Sequence, residues 1–136
     1  MMTKVVVSVA VGVILLVTAG ILAARTRAFI RTARAAPGVV EGLNAGGSHP
    51  QIGFTTPAGV RVSYPQGGLI SGYRPGQPVR ALYDPADPEG TARIDAFGAL
   101  WFDVLILSIF GLIFSSIGLS GALKVGGRFG ASKNRV

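Results

Sequence analysis

The stretch VVVSVAVGVILLVTAGILAA, Val5 to Ala24, decides the architecture: twenty residues carry no charge, and twelve of them are Val, Ile or Leu. As an α-helix rising about 1.5 Å per residue, such a run reaches about 30 Å, the thickness of a hydrocarbon core. Its large aliphatic residues favour insertion by about 4–7 kcal/mol. A cleaved signal peptide is the alternative. Its apolar region spans about 7–15 residues, and Lys4 makes a weak basic start, although AGILAA resembles a small-residue cleavage site.

A second uncharged run of twenty, VLILSIFGLIFSSIGLSGAL, extends from Val104 to Leu123. It is entered through FGALWFD, where Trp101 suits a headgroup-level position. Asp103 stands one residue outside the run and reads as an interfacial acid or helix-start residue rather than an ion ligand. Small residues recur at helical spacing: Ser8 and Gly12 in the first run, and Gly111, Ser115 and Gly118 in the second. They let helix backbones approach and mark packing faces.

Between and beyond the runs lie most of the cations that give the chain its formal charge of +7. Arg25, Arg27, Arg31 and Arg34 follow the first run, while Lys124, Arg128, Lys133 and Arg135 follow the second. Anionic lipid headgroups, or a partner, are the expected contacts of Arg25, Arg27, Arg31, Arg34, Trp101, Lys124 and Arg128. The two basic flanks give opposite orientations under the positive-inside rule. The first helix usually dominates, which leans the central segment toward the cytoplasm.

The expected organisation is an N-terminal transmembrane helix over 1–24, a basic helical extension over 25–36 and a small β-domain over 37–95. An interfacial entry with the second transmembrane helix follows over 96–123, then a basic tail over 124–136. In the β-domain, Pro37-Gly38 stops the helix. Strand-like pieces then alternate with turn signals: VVEGL, QIGFTT paired with VRVSY as a hairpin, PVRALY, and ARID. The fold class is a membrane α+β protein, two helices bracketing a small antiparallel sheet or partly closed barrel. The expected core is Val39, Ile52, Phe54, Val60, Val62, Tyr64, Val79, Leu82, Tyr83 and Ile94.

Chemistry-bearing constellations are scarce. With no cysteine, thiol catalysis and thiolate metal sites are excluded. Asp84, Asp87, Glu89 and Asp95 form the one acidic cluster, and their spacing matches no calcium loop. His49 is the single histidine, in a Gly/Pro-rich loop and with no Gly-x-Ser-x-Gly elbow in the chain. No catalytic, metal or cofactor residues are assigned, and nucleic acid is not an expected partner.

The segment Tyr73-Arg74-Pro75-Gly76-Gln77-Pro78-Val79-Arg80-Ala81-Leu82-Tyr83-Asp84-Pro85-Ala86-Asp87-Pro88, with Gly38-Val39-Val40, Phe54-Thr55-Thr56 and Gly59-Val60-Arg61-Val62 before it, resembles the bacterial two-pass membrane family called domain of unknown function 3592. The resemblance runs from the first apolar helix to about Leu123 and implies the same architecture with no established activity. Pro75, Gly76, Tyr83, Asp84 and Pro85 are read as a structural turn motif: proline and glycine suit a tight turn, and Asp84 can bond its own downstream backbone. The expected function is a non-catalytic accessory or scaffold subunit of the bacterial inner membrane. It docks on a larger membrane complex, or on further copies of itself, through the helix hairpin and the β-domain. A ligand- or lipid-responsive sensor and a membrane hydrolase are the alternatives.

Overall fold

The computed structural model describes residues 1–132, with side chains up to residue 127. Helix α1 spans Met2–Thr32 and α4 spans Phe102–Ser132. Between them lie strands β1 (Arg34–Asn44), β2 (His49–Thr55), β3 (Arg61–Pro65), β4 (Pro78–Tyr83) and β5 (Arg93–Ile94), with one-turn helices α2 (Pro88–Thr91) and α3 (Phe97–Leu100). The chain divides into two compact units. One comprises Met1–Leu22 with the chain from Val104 onward, and the other comprises Ala23–Asp103.

In the first unit α1 and α4 pack antiparallel, as the contacts of their small residues require. A Cβ added at Gly12 would meet the backbone nitrogen of Ser115 at 2.7 Å and the carbonyl of Gly111 at 2.9 Å. One at Gly111 would meet Leu16, and one at Gly118 would meet Val9. Gly12, Gly111 and Gly118 are buried in this seam, and Ser8 and Ser115 are half-buried. The outward residues of both helices, among them Ile14, Val17, Leu112 and Ile117, are exposed. Both helices are long and apolar enough to cross a membrane by length and composition, and 11% of each apolar window is buried.

In the second unit the five strands form one antiparallel sheet in the order β3-β2-β1-β4-β5, curled into a half-barrel. The helical extension expected over 25–36 is shorter than its Ala/Arg composition suggests. α1 stops at Thr32, and Arg34 already pairs with Tyr83 on β4. Ladder bonds to β4 override local helix propensity there. Pro37 lies in the middle strand without an amide donor. It is tolerated because pairing with β2 begins only at Gly38, so at Pro37 the strand has a single neighbour. The expected basic tail from Lys124 continues α4 as far as Ser132. Residues 133–136, Lys133 and Arg135 among them, and the Arg128 side chain lie outside the described residues.

Alternation along the strands turns Ala36, Val40, Ile52, Phe54, Val62, Tyr64, Ala81, Tyr83 and Ile94 inward as the core. Phe54 sits between Tyr64 and Tyr83, at centroid distances of 6.3 Å and 5.2 Å. Val39 and Val60, expected in this core, are 39% and 46% exposed. Val39 pairs with Gly53 on the outer face, and Val60 precedes β3.

The curl closes at one corner. The amide of Ile94 points off the free edge of β5, because its neighbour Asp95 donates to Arg80 on β4. Gln66, 5% exposed just beyond β3, meets it there: its Oε1 accepts from the Ile94 amide at 2.7 Å, and its Nε2 donates to the Gly67 carbonyl at 2.8 Å. One side chain thus stands in for a missing strand pair between the two edges of the sheet.

Candidate functional site

The inner face of the half-barrel is filled with side chains, so surface chemistry is on the outer face. The feature that shapes that face is a bulge in β1. Val40 pairs with Ile52 and Gly42 with Gln51, which leaves Glu41 as the extra residue. The bulge aims Glu41 outward across β2, over Gly53. A Cβ at Gly53 would overlap the Glu41 carboxylate, so in this arrangement the side chain crosses directly over a glycine.

Beyond Gly53 the carboxylate reaches β3. Its Oε1 takes the Arg61 guanidinium (Nη2) and its Oε2 takes the Ser63 hydroxyl at 2.7 Å. Ser63 Oγ accepts from Gln51 Nε2 at 2.9 Å, and Gln51 Oε1 accepts from Asn44 Nδ2 at 3.0 Å. The donors all run one way, Asn44 to Gln51 to Ser63 to Glu41, and Arg61 meets them from the other side. Chains of this kind polarise one another and fix the side chains they join.

Toward β4 the outer face carries Ala35, Pro37, Pro78 and Arg80, four of the residues that line an open groove of about 590 Å³. Its far rim carries a second ion pair, Arg80 Nε to Asp95 Oδ2 at 3.4 Å. An apolar strip between fixed polar rims is the anatomy of a protein-binding surface. An exposed ion pair contributes about 0–1 kcal/mol, whereas glycine in a strand costs about 0.5–1 kcal/mol relative to alanine and the bulge interrupts the ladder.

The turn motif does structural work. Pro75 and Gly76 (φ +83°) make a turn in which the Gln77 amide donates to the Arg74 carbonyl at 3.0 Å. Tyr83 is buried in the core. Asp84 Oδ1 accepts from the Ala86 amide at 2.9 Å, which opens the turn at Pro85, and Asp87 Oδ1 caps α2 through the Gly90 amide at 3.1 Å. Among the described residues no group of three or more His, Asp or Glu is placed to hold a metal ion. Arg25, Arg27, Arg31, Arg34 and Lys124 are exposed and Trp101 is half-buried; none of these cations forms an ion pair among the described residues. The Tyr64 hydroxyl is buried without a hydrogen-bond partner, and burial, then neighbouring Tyr73, pushes its ionisation well above the usual tyrosine range. Sequence reasoning missed Glu41, Gln51, Arg61 and Ser63, because a bulge leaves no trace in hydrophobic alternation. Gly53 inside a strand was the one available signal.

The sheet thus has a packed inner face, and its outer face carries the Glu41 network and an open groove. Over 112 residues, 82% of this chain and 77% of the relative's own length, the sequence is 48% identical to the "Immune protein Tsi4" of Pseudomonas aeruginosa. The chain belongs to the family of that immune protein and is not an enzyme. No protein-family model and no solved structure matches it.

This membership corrects several expectations. The likeness to domain of unknown function 3592 does not stand, since no family model matches. The accessory or scaffold subunit, the sensor and the hydrolase all give way to the immune family. The expected partners, anionic lipid, a larger membrane complex or further copies of the chain, fall with them, since the relative is named an immune protein. The inner-membrane placement and the lean toward a cytoplasmic domain rested on hydropathy and flanking charge. A signal sequence or the core helix of a soluble protein passes the same hydropathy test.

Proposed function

We propose that this chain is an immunity protein that protects its own cell by binding a toxin and blocking it. The observation that carries the reading is the 48% identity to an immune protein across four-fifths of the chain. A binding mode of action agrees with the outer sheet face, where an apolar groove lies between the Glu41–Arg61 and Arg80–Asp95 pairs. In this reading the toxin docks on that face. The exposed Arg25, Arg27, Arg31 and Arg34 lie in the same unit and steer an acidic partner toward it.

Under the same reading the residues divide by task. Gly12, Ser115, Gly111, Gly118 and Ser8 pack α1 against α4. This makes an antiparallel hairpin of the two long helices. Pro75, Gly76, Tyr83, Asp84 and Pro85 hold the β4 end of the sheet in shape.

The test is competition between siblings. Cells deleted for this gene, grown in contact with the parent strain, should be killed, and killing should stop when one parental gene, the toxin, is also deleted. Restoring this chain should restore survival, and the purified chain should bind the purified toxin. Unimpaired survival of the deletion strain beside toxin-producing siblings would refute the proposal.

A further inference from the structure

On the outer face the Arg61 side chain has hydrogen-bonding capacity held open. Asn44, Gln51 and Ser63 are engaged with one another, and both Glu41 oxygens are occupied. Arg61 bonds Glu41 through Nη2 alone. Its side chain is 69% exposed, and its other guanidinium donors have no partner among the described residues.

We infer that Arg61, oriented by Glu41, is the specificity-determining contact of this immunity protein and takes a carboxylate of the toxin in a two-pronged hydrogen bond. The inference rests on the immunity reading and adds the residue and the chemistry it selects. A guanidinium is a planar fork matched to carboxylate geometry, which the point charge of lysine does not reproduce. Held on one side, the fork loses less conformational freedom on binding than a free arginine does. Arginines of this kind are common among the few residues that dominate interfaces.

The charge balance points to the same partner. Residues 23–103 hold eight arginines against six acids, and the whole chain is at +7. An acidic surface on the toxin complements this, and Arg61 offers it free donors. The bulge at Glu41 and the glycine at 53 also find a purpose here, since together they bring a carboxylate from β1 across β2 to aim a side chain on β3.

The test uses the full chain in mild detergent and the sibling toxin identified above, with affinity measured by titration calorimetry. Arg61→Ala should weaken binding about 30-fold or more, and Arg61→Lys, which keeps the charge, about 10-fold. Glu41→Ala should also weaken binding although Arg61 is intact, whereas Arg74→Ala, an exposed arginine off this network, should not. One Asp→Ala or Glu→Ala variant of the toxin should lose affinity for the native chain but not for Arg61→Ala. If Arg61→Ala fails to fold, Arg61→Lys decides. Binding by Arg61→Lys as tight as that of the native chain overturns the inference while leaving the immunity reading standing. So does an effect of Arg61 confined to anionic phosphatidylglycerol vesicles. Failure of the native chain itself to bind or protect overturns the immunity reading.

Discussion

Removing the Gln66 side chain should open the half-barrel at its corner, and the size of the effect follows from what that side chain touches. Gln66→Ala leaves the Ile94 amide, now 2.7 Å from Oε1, without an acceptor in a buried position. A stranded buried donor costs about 1–3 kcal/mol, and losing the second bond, Nε2 to the Gly67 carbonyl, costs about 0.5–1.5 kcal/mol more. The expected destabilisation is therefore about 1.5–4.5 kcal/mol. Gln66→Leu fills a similar volume without the acceptor and should recover little of it. Trp101, the single tryptophan, reports unfolding of the full chain in urea and mild detergent. Hydrogen exchange at the Ile94 amide should accelerate in both variants, with Ile52 at the sheet centre much less affected. If Gln66→Ala lost less than about 0.5 kcal/mol, or left Ile94 exchange unchanged, the corner would be closed by something other than Gln66.

Two further substitutions test the packing. Gly12→Ala places a methyl against the Ser115 and Gly111 backbones and should separate the helices, whereas Gly20→Ala meets nothing within 4 Å and should be neutral or slightly stabilising; crosslinking between cysteines introduced at Val5 and Gly121, where a Cβ at Gly121 would lie 3.9 Å from that of Val5, distinguishes them. Tyr64→Phe removes a buried hydroxyl that has no partner, so stability at neutral pH should be unchanged or rise by up to about 1 kcal/mol. The native chain should lose stability as pH climbs past about 10. The unfolded tyrosine ionises there while the folded one, raised by burial, keeps its proton, so the unfolded state binds fewer protons and gains. Tyr64→Phe should flatten that alkaline slope in urea melts taken from pH 8 to 11.

Much of the fold was legible because it depends on patterns a sequence carries openly. The two apolar runs, the β2–β3 hairpin and the PVRALY strand follow from hydropathy, alternation and turn residues. The Asp84 turn follows from the proline beside it. What escaped depends on pairings between distant segments. Arg34 to Ala36 reads as helix until β4 is there to bond it, and Val39 reads as core until its register against Gly53 turns it outward. The Gln66–Ile94 contact joins residues 28 apart through a side chain whose type has no local preference for that place. The outer face was illegible for the same reason, since Glu41 finds Arg61 and Ser63 through a bulge that only the assembled sheet displays. Function was illegible because family membership is carried by likeness across four-fifths of the chain rather than by a short motif.

The alternation that turns Ile52 and Phe54 inward and Gln51 and Gly53 outward also separates what can change from what cannot. Positions 44, 51, 61 and 63 can exchange side chains without disturbing a buried methyl group. Variation at these four positions therefore redraws the outer surface one side chain at a time, on a half-barrel that never has to be recast.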